Sequence, residues 1–258
     1  TKQIRAYRRG GDVITISGDG LKFAARMIDD KAPAAKRLRR GAIIRVQTDA
    51  KNNWRITQMP EVEAAFLSAD PQNGSIRSLI GGFDFNRNKF NHVTQAWRQP
   101  GSSFKPFIYS GALEKGFTPA SIVQDDPISF PASVTGSRAW EPKNYDGKYE
   151  GAMRLRTALA KSKNMVSIRL LQASGVQFIQ DYATRFGFDA DKHPAYLTMA
   201  LGAGSVTPWQ MVAGYSVFAN GGYRIQPYIV RDIRDANGSI LAENRRVIHR
   251  RVAQAKHA

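Results

Sequence analysis

The chain changes hydrophobic period partway along, and that change limits the folds open to it. Val13-Ile14-Thr15-Ile16-Ser17, Ala42-Ile43-Ile44-Arg45-Val46 and Trp54-Arg55-Ile56-Thr57-Gln58 are short β-branched runs separated by Gly-Asp, Thr-Asp-Ala and Asn-Asn turns. A hairpin follows. Val62 to Ala69 and Ile76 to Gly82 read as strands around Asp70-Pro71-Gln72-Asn73-Gly74, where Asn-Gly favours positive φ. Downstream, apolar residues recur at helical spacing. Ser102 to about Lys115 is one predicted helix, with Gly116 ending it. Met153 to Ala160, Val166 to Ala173 and Val176 to Phe186 are three more. Thr207-Pro208 opens a fifth, with Thr as cap and Pro in the first turn, running to Asn220-Gly221-Gly222. Pro119 to Glu150 reads as a long turn-rich stretch. Tyr228 to Arg231 and Ser239 to Leu241 are strand candidates, and Glu243 to Ala258 is basic and featureless.

This pattern predicts an α+β protein of two domains. Residues 1–59 form a small OB-like β-barrel module, and residues 60–258 form a larger domain with a sheet flanked by helices. Bulk properties narrow the function. Cysteine is absent, which excludes disulfides, thiolate metal sites and cysteine nucleophiles. His92, His193, His249 and His257 are scattered without metal-ligand spacing, so no metal and no cofactor is expected. The formal net charge of +17 is uneven, for residues 1–60 hold 14 Lys/Arg against 5 Asp/Glu. No basic stripe is interleaved with exposed aromatics, so nucleic acid is not the expected partner. Anionic envelope polymers or lipid head groups suit such a surface equally well. No run approaches the ~18 apolar residues of a membrane span. Thr1 to Gly11 is polar and basic rather than a signal peptide, so the chain reads as a soluble piece cut from something longer.

Two short motifs carry chemistry. Gln99-Pro100-Gly101-Ser102-Ser103-Phe104-Lys105-Pro106-Phe107 places a hydroxyl and an amine, Ser102 and Lys105, three residues apart at a predicted helix start, on one face. A serine hydroxyl is a poor nucleophile until a base takes its proton, and a lysine whose pKa is lowered can be that base. The helix N-terminus offers unpaired N–H groups to a developing oxyanion. The plain alternative is a capping Ser102 and a solvated Lys105. Pro106 argues against it, because it restricts Lys105 toward non-helical backbone angles, and such local conflict is commonest at functional sites. The second motif is Ser162-Lys163-Asn164, at a junction between helical segments. Its hydroxyl can relay a proton and its amide can bind a substrate carbonyl. Here the plain alternative is an ordinary helix boundary.

Ser-x-x-Lys followed by Ser-x-Asn is the ordered signature of penicillin-recognising serine acyl transferases. The surrounding segments Gln95–Phe107, Phe66–Gly74, Asn144–Tyr149 and Leu201–Met211 resemble class A penicillin-binding proteins of the 1A type, in which an OB-like insertion accompanies a transpeptidase domain. The resemblance implies a peptidoglycan D,D-transpeptidase fold and activity. By it, Ser102 attacks the penultimate D-alanine carbonyl, Lys105 is its base, Ser162 passes the proton on and Asn164 holds the substrate amide. Peptidoglycan stem peptides and β-lactams are the implied partners, with an envelope protein or glycan for the OB-like module. The implied location is the periplasmic side of the inner membrane. The family's third motif, Lys-Thr/Ser-Gly, does not occur in the sequence, so the transpeptidase domain is expected to be C-terminally incomplete. The weighed alternatives are a serine β-lactamase or D,D-carboxypeptidase, and a non-catalytic β-lactam sensor or scaffold. Glu141 and Glu150 lie mid-chain without a recognisable deacylation motif.

Overall fold

A computed structural model describes residues 2–29, 31–135, 138–244 and 252. The basic tail beyond residue 244, residue 252 apart, lies outside the described residues. The chain divides into two compact units, Thr1–Glu63 and Ala64–Ala258. Every strand among the described residues belongs to one of five antiparallel two-stranded ladders.

In the first unit, β1 (Gln3–Tyr7) pairs with β2 (Val13–Ser17), and β3 (Arg45–Thr48) pairs with β4 (Trp54–Thr57). The alternation along β2 buries Ile14 and Ile16 and exposes Val13, Thr15 and Ser17. These two isoleucines pack with Leu21, Ala24 and Ile56 into a small core, bordered by Ile4, Val46 and Trp54. Gly20 lies against the Trp54 backbone, where a β-carbon would collide with its carbonyl oxygen. The strand β1 is a finding that composition hid, because its alternating Gln3, Arg5 and Tyr7 face solvent and only Ile4 and Ala6 turn inward.

The second unit opens with β5 (Phe66–Ala69) and β6 (Ile76–Ile80), whose register shifts at a bulge between Ser68 and Ala69. A 3-10 turn, Gly101–Phe104, leads into α1 (Lys105–Glu114). Then come β7 (Ile122–Asp125), a short α2 (Ala132–Thr135), β8 (Gly151–Arg154) and α3 (Leu155–Ala160). Next are α4 (Asn164–Ser174), α5 (Val176–Thr184) and α6 (Pro208–Ala219), and β9 (Asp232–Arg234) with β10 (Ile240–Glu243) complete the unit.

Helices α1 and α4 are the centre of this unit. Phe107, Ile108, Tyr109 and Ala112 of α1 are buried, as are Met165, Val166, Ile168, Leu170 and Leu171 of α4. A helix apolar nearly all round belongs inside a core. Gly111 lets α1 approach α5, since a β-carbon there would sit 2.5 Å from Ile179 Cδ1. The α6 start carries a full capping box: Gln210 N–H donates to Thr207 Oγ1 at 3.2 Å, and Thr207 N–H donates to Gln210 Oε1 at 3.1 Å.

Four sequence readings differ from the structure. Pro106 does not drive Lys105 out of helical geometry: Lys105 has φ −54° and ψ −41°. Pro106 lies in the first turn of α1, where a missing N–H costs nothing. The turn-rich stretch contains β7, and the predicted helix from Met153 begins only at Leu155, because Gly151–Arg154 pairs with Ile122–Asp125. The strand expected at Tyr228 to Arg231 lies at Asp232–Arg234, while Tyr228 makes a single parallel bridge to Ser75.

Candidate active site

The first motif is fixed by what lies behind it. Arg98 and Val206 exchange backbone hydrogen bonds at 2.9 Å each way, Gly101 N–H donates to Gly202 O at 3.3 Å, and Gln99 Nε2 donates to Ala203 O at 3.1 Å. Gly202, at φ +70°, touches the Gly101 backbone so closely that any β-carbon would collide with it. Phe104 is fully buried, stacked on the His193 ring at 4.6 Å and edge-on to Phe188. Burial pushes the His193 pKa below its ordinary value, and neither ring nitrogen has a hydrogen-bond partner among the described residues. His193 is therefore a neutral packing group. Tyr215 Oη donates to Ser103 O at 2.7 Å, tying α6 to the same turn. These contacts leave Ser102 exposed at the surface of a rigid turn and Lys105 only 1% exposed behind it.

The second motif meets Lys105 there. Lys105 Nζ donates to Ser162 O at 2.6 Å, to Asn164 Oδ1 at 2.7 Å and to Ser162 Oγ at 3.1 Å. Burial lowers its pKa from 10.5 to about 8. Ser162 holds φ +53°, a left-handed conformation that residues with a β-carbon seldom adopt. It follows the C-terminus of α3, where Ser162 N–H donates to Leu159 O and Lys163 N–H to Ala158 O, each at 2.9 Å. That is the Schellman pattern, which normally recruits glycine. Here it turns both the carbonyl and the hydroxyl of Ser162 toward the Lys105 amine.

Ser102, Ser162 and Asn164 line one cleft of about 260 Å³, together with Asn144, Tyr145, Asp146, Lys161 and Lys163. Three of the four sequence-chosen residues are thus in direct hydrogen-bond contact, and the fourth, Ser102, borders the same cleft. No Ser102–Lys105 hydrogen bond occurs among the described residues. The unit also holds a charged cluster that motif reading missed. Lys163 Nζ lies 3.1 Å from Glu150 Oε1, 3.2 Å from Asp146 Oδ2 and 3.3 Å from Asp125 Oδ2. Burial disfavours its charge, but the hydrogen bonds it donates to Glu150, Asp146 and Asp125 outweigh this and hold the ammonium above the ordinary lysine range. Asn144 joins Asp125 to the start of α4. The available signal was Asn144-Tyr145-Asp146-Gly147, a turn sequence close to the second motif only in space. No group of three or more His, Cys, Asp or Glu side chains suited to a metal ion occurs among the described residues. No described helix is long and apolar enough to cross a membrane.

A family model described as the penicillin-binding protein transpeptidase domain matches residues 64–258, and one described as the penicillin-binding protein OB-like domain matches residues 1–62. Penicillin-binding protein 1A of Neisseria lactamica is 47% identical over 234 residues, 91% of this chain and 29% of that protein. A crystal structure of penicillin-binding protein 1A from Haemophilus influenzae matches with a TM-score of 0.83 and 38% identity, over 93% of this chain and 34% of that one. PonA1 from Mycobacterium tuberculosis, solved in complex with penicillin V, matches with a TM-score of 0.61 and 27% identity, over 71% of this chain and 51% of that one. The chain thus spans less than a third of the length of its Neisseria relative.

Proposed function

The chain belongs to the penicillin-binding protein transpeptidase family, and from that premise we propose that it carries the acylation site of a peptidoglycan D,D-transpeptidase. Ser102 Oγ attacks the carbonyl of the penultimate D-alanine of a stem peptide. A C–O bond forms, the C–N bond to the terminal D-alanine breaks, and the serine proton ends on the departing amine. An amine of a second stem peptide then attacks the ester and frees Ser102. A β-lactam is opened by the same attack, its ring C–N bond breaking and its nitrogen taking the proton.

The observation that carries this reading is the buried Lys105 amine, held by three acceptors from the second motif and lowered to about 8. A base is best placed when its pKa lies near the working pH. A charged ammonium uses all three N–H groups on these acceptors. The neutral amine has two N–H groups and a lone pair. Ser162 O and Asn164 Oδ1 can only accept, whereas the Ser162 hydroxyl can reverse and donate to the lone pair. Ser162 is therefore the route by which a proton reaches or leaves Lys105 on that side, as a relay to the leaving amine requires. Asn164 keeps its carbonyl on Lys105 and donates one amide hydrogen to Lys143 O at 2.8 Å. Its second amide hydrogen serves the substrate carbonyl.

The expected location is the periplasmic face of the inner membrane, and the basic OB-like unit is assigned to an envelope protein or glycan. The test is to label the protein containing this chain with a fluorescent penicillin and map the modified peptide. Adduct on Ser102, lost in Ser102→Ala, supports the reading. A folded protein that stays unlabelled overturns it, and rapid nitrocefin turnover would reassign the site to a β-lactamase.

A further inference from the structure

Asn144 is 4% exposed and uses the whole capacity of its amide. Its Oδ1 accepts from Asn164 N–H at 2.8 Å and from Met165 N–H at 3.3 Å, the first two N–H groups of α4. Its Nδ2 donates to Asp125 Oδ1 at 2.7 Å and to Lys148 O at 2.8 Å. An amide has two donors and two acceptor sites, and all four are used. Turning it over would face its N–H groups at two other donors and its oxygen at a carboxylate and a carbonyl. The orientation is therefore fixed by these four partners together, and among them Asp125 is fully buried and itself held by Glu150 N–H at 3.1 Å and by Lys163. The neighbouring residue, Lys143, accepts from the Asn164 side chain. One loop thus grips Asn164 by its backbone and by its amide, and Asn164 in turn holds Lys105.

We propose that Asn144, locked in one orientation by Asp125, Lys148 O and the first N–H groups of α4, is the positioning residue that sets Asn164 and through it the Lys105 amine. The proposal rests on the acylation reading above. Asn144 touches neither reacting atom. Its effect is on the register of the α4 start, where a misplacement of about 1 Å can cost about 10²-fold in rate.

The test uses the full protein, a fluorescent penicillin, and acylation rate constants from acid to alkaline pH. In Asn144→Asp a carboxylate oxygen replaces the Nδ2 group that faces Asp125. Two carboxylates at that distance bond only by sharing one proton. The titratable groups facing the pair are Lys163 and Tyr109, with Asp146 and Glu150 on Lys163, Lys161 on Glu150 and Lys105 beyond Asn164, and all are present in wild type. Acylation should fall by about 10²-fold at pH 8, with the loss shrinking as pH falls. Asp125→Asn should also slow acylation, because the buried carboxylate that Asn144 Nδ2, Glu150 N–H and Lys163 share is lost. The double variant Asn144→Asp/Asp125→Asn restores a donor facing an acceptor between the two side chains, leaving only Lys148 O opposite a carboxylate oxygen, and should recover to within about tenfold of wild type, a coupling that independent sites do not show. If neither single variant folds, the double variant decides on the same criterion. Unchanged rates, a loss that is flat with pH and persists in the double variant, or failure of all three to fold would overturn the proposal. Wild type that does not label Ser102 sinks the acylation reading and this one with it, whereas labelled wild type beside unaffected variants sinks this one alone.

Discussion

Ser162→Gly separates what this residue costs the fold from what it contributes to chemistry. Ser162 sits at the left-handed position that closes α3, with φ +53°. A β-carbon there costs about 1–2 kcal/mol. Glycine avoids that cost but gives up about 0.5–1 kcal/mol more chain entropy on folding. Ser162→Ala removes the hydroxyl and keeps the β-carbon, and Ser162→Gly removes both, so the difference between the two variants isolates the backbone term. Glycine should be the more stable by about 0.5–1 kcal/mol, a shift of about 1–4 °C in a unit of this size. Urea denaturation followed by tryptophan fluorescence reads the difference directly, since Trp97, Trp140 and Trp209 all lie in the second unit. Both variants should lose acylation by about 10²–10⁴-fold, the range of a missing proton-transfer group. If alanine proves as stable as glycine, the strain in the left-handed turn does not exceed the entropy cost of glycine, about 0.5–1 kcal/mol, and the argument fails. A glycine variant that acylates at the wild-type rate would instead remove the hydroxyl from the proton path.

Two further outcomes follow from the same geometry. Acylation should rise with pH up to about 8 and level off above it, because only neutral Lys105 can accept the serine proton and its pKa lies near 8. The same depression implies that the folded state disfavours the ammonium, so stability should increase as pH rises from about 8 toward 10.5; rate profiles and denaturation midpoints across that range check both. Gly202→Ala should abolish labelling of Ser102 and lower the denaturation midpoint, since its β-carbon collides with the Gly101 backbone. Gly116→Ala, also at positive φ but in open space, should cost only about 1 kcal/mol and leave labelling intact, so equal losses in the two variants would refute the role assigned to the Gly101–Gly202 contact.

The helices were legible because their signals are local. Thr207-Pro208 with Gln210 is a cap readable from adjacent residues, and α4 and α5 follow the apolar spacing to within two residues at most boundaries. The ladder of β7 with β8 was not legible, because its partners are separated by a long loop and β8 offers only Gly151-Ala152-Met153-Arg154, a run without β-branched residues. Strand identity there comes from the partner rather than from propensity. Pro106 misled for a related reason. The restriction on the residue before proline is a statistical bias, and the first turn of a helix is the one place where the packed structure overrides it without losing a hydrogen bond.

The site shows the same division between local pattern and assembled context. In Ser162-Lys163-Asn164 the outer two residues carry the chemistry that the motif makes recognisable, and Lys163 stands between them. A tight turn sends its alternate side chains in opposite directions. Ser162 and Asn164 reach Lys105, and Lys163 reaches the carboxylates of Asp125, Asp146 and Glu150. Burial acts on both lysines and would discharge either one. Lys105 has only neutral acceptors around it and falls to about 8, whereas Lys163 has three carboxylates and rises above the ordinary range. Two amines of identical intrinsic basicity are thereby set to opposite tasks, one able to exchange a proton near neutral pH and one permanently charged. The carboxylates that make this difference come from β7 and from the loop before β8, so the residue types of the motif cannot encode it. The charge of Lys163 offsets that of the buried Asp125, and Asp125 is one of the four partners that point the Asn144 oxygen at the first turn of α4. The adjustable lysine is therefore held in place, step by step, by the fixed one.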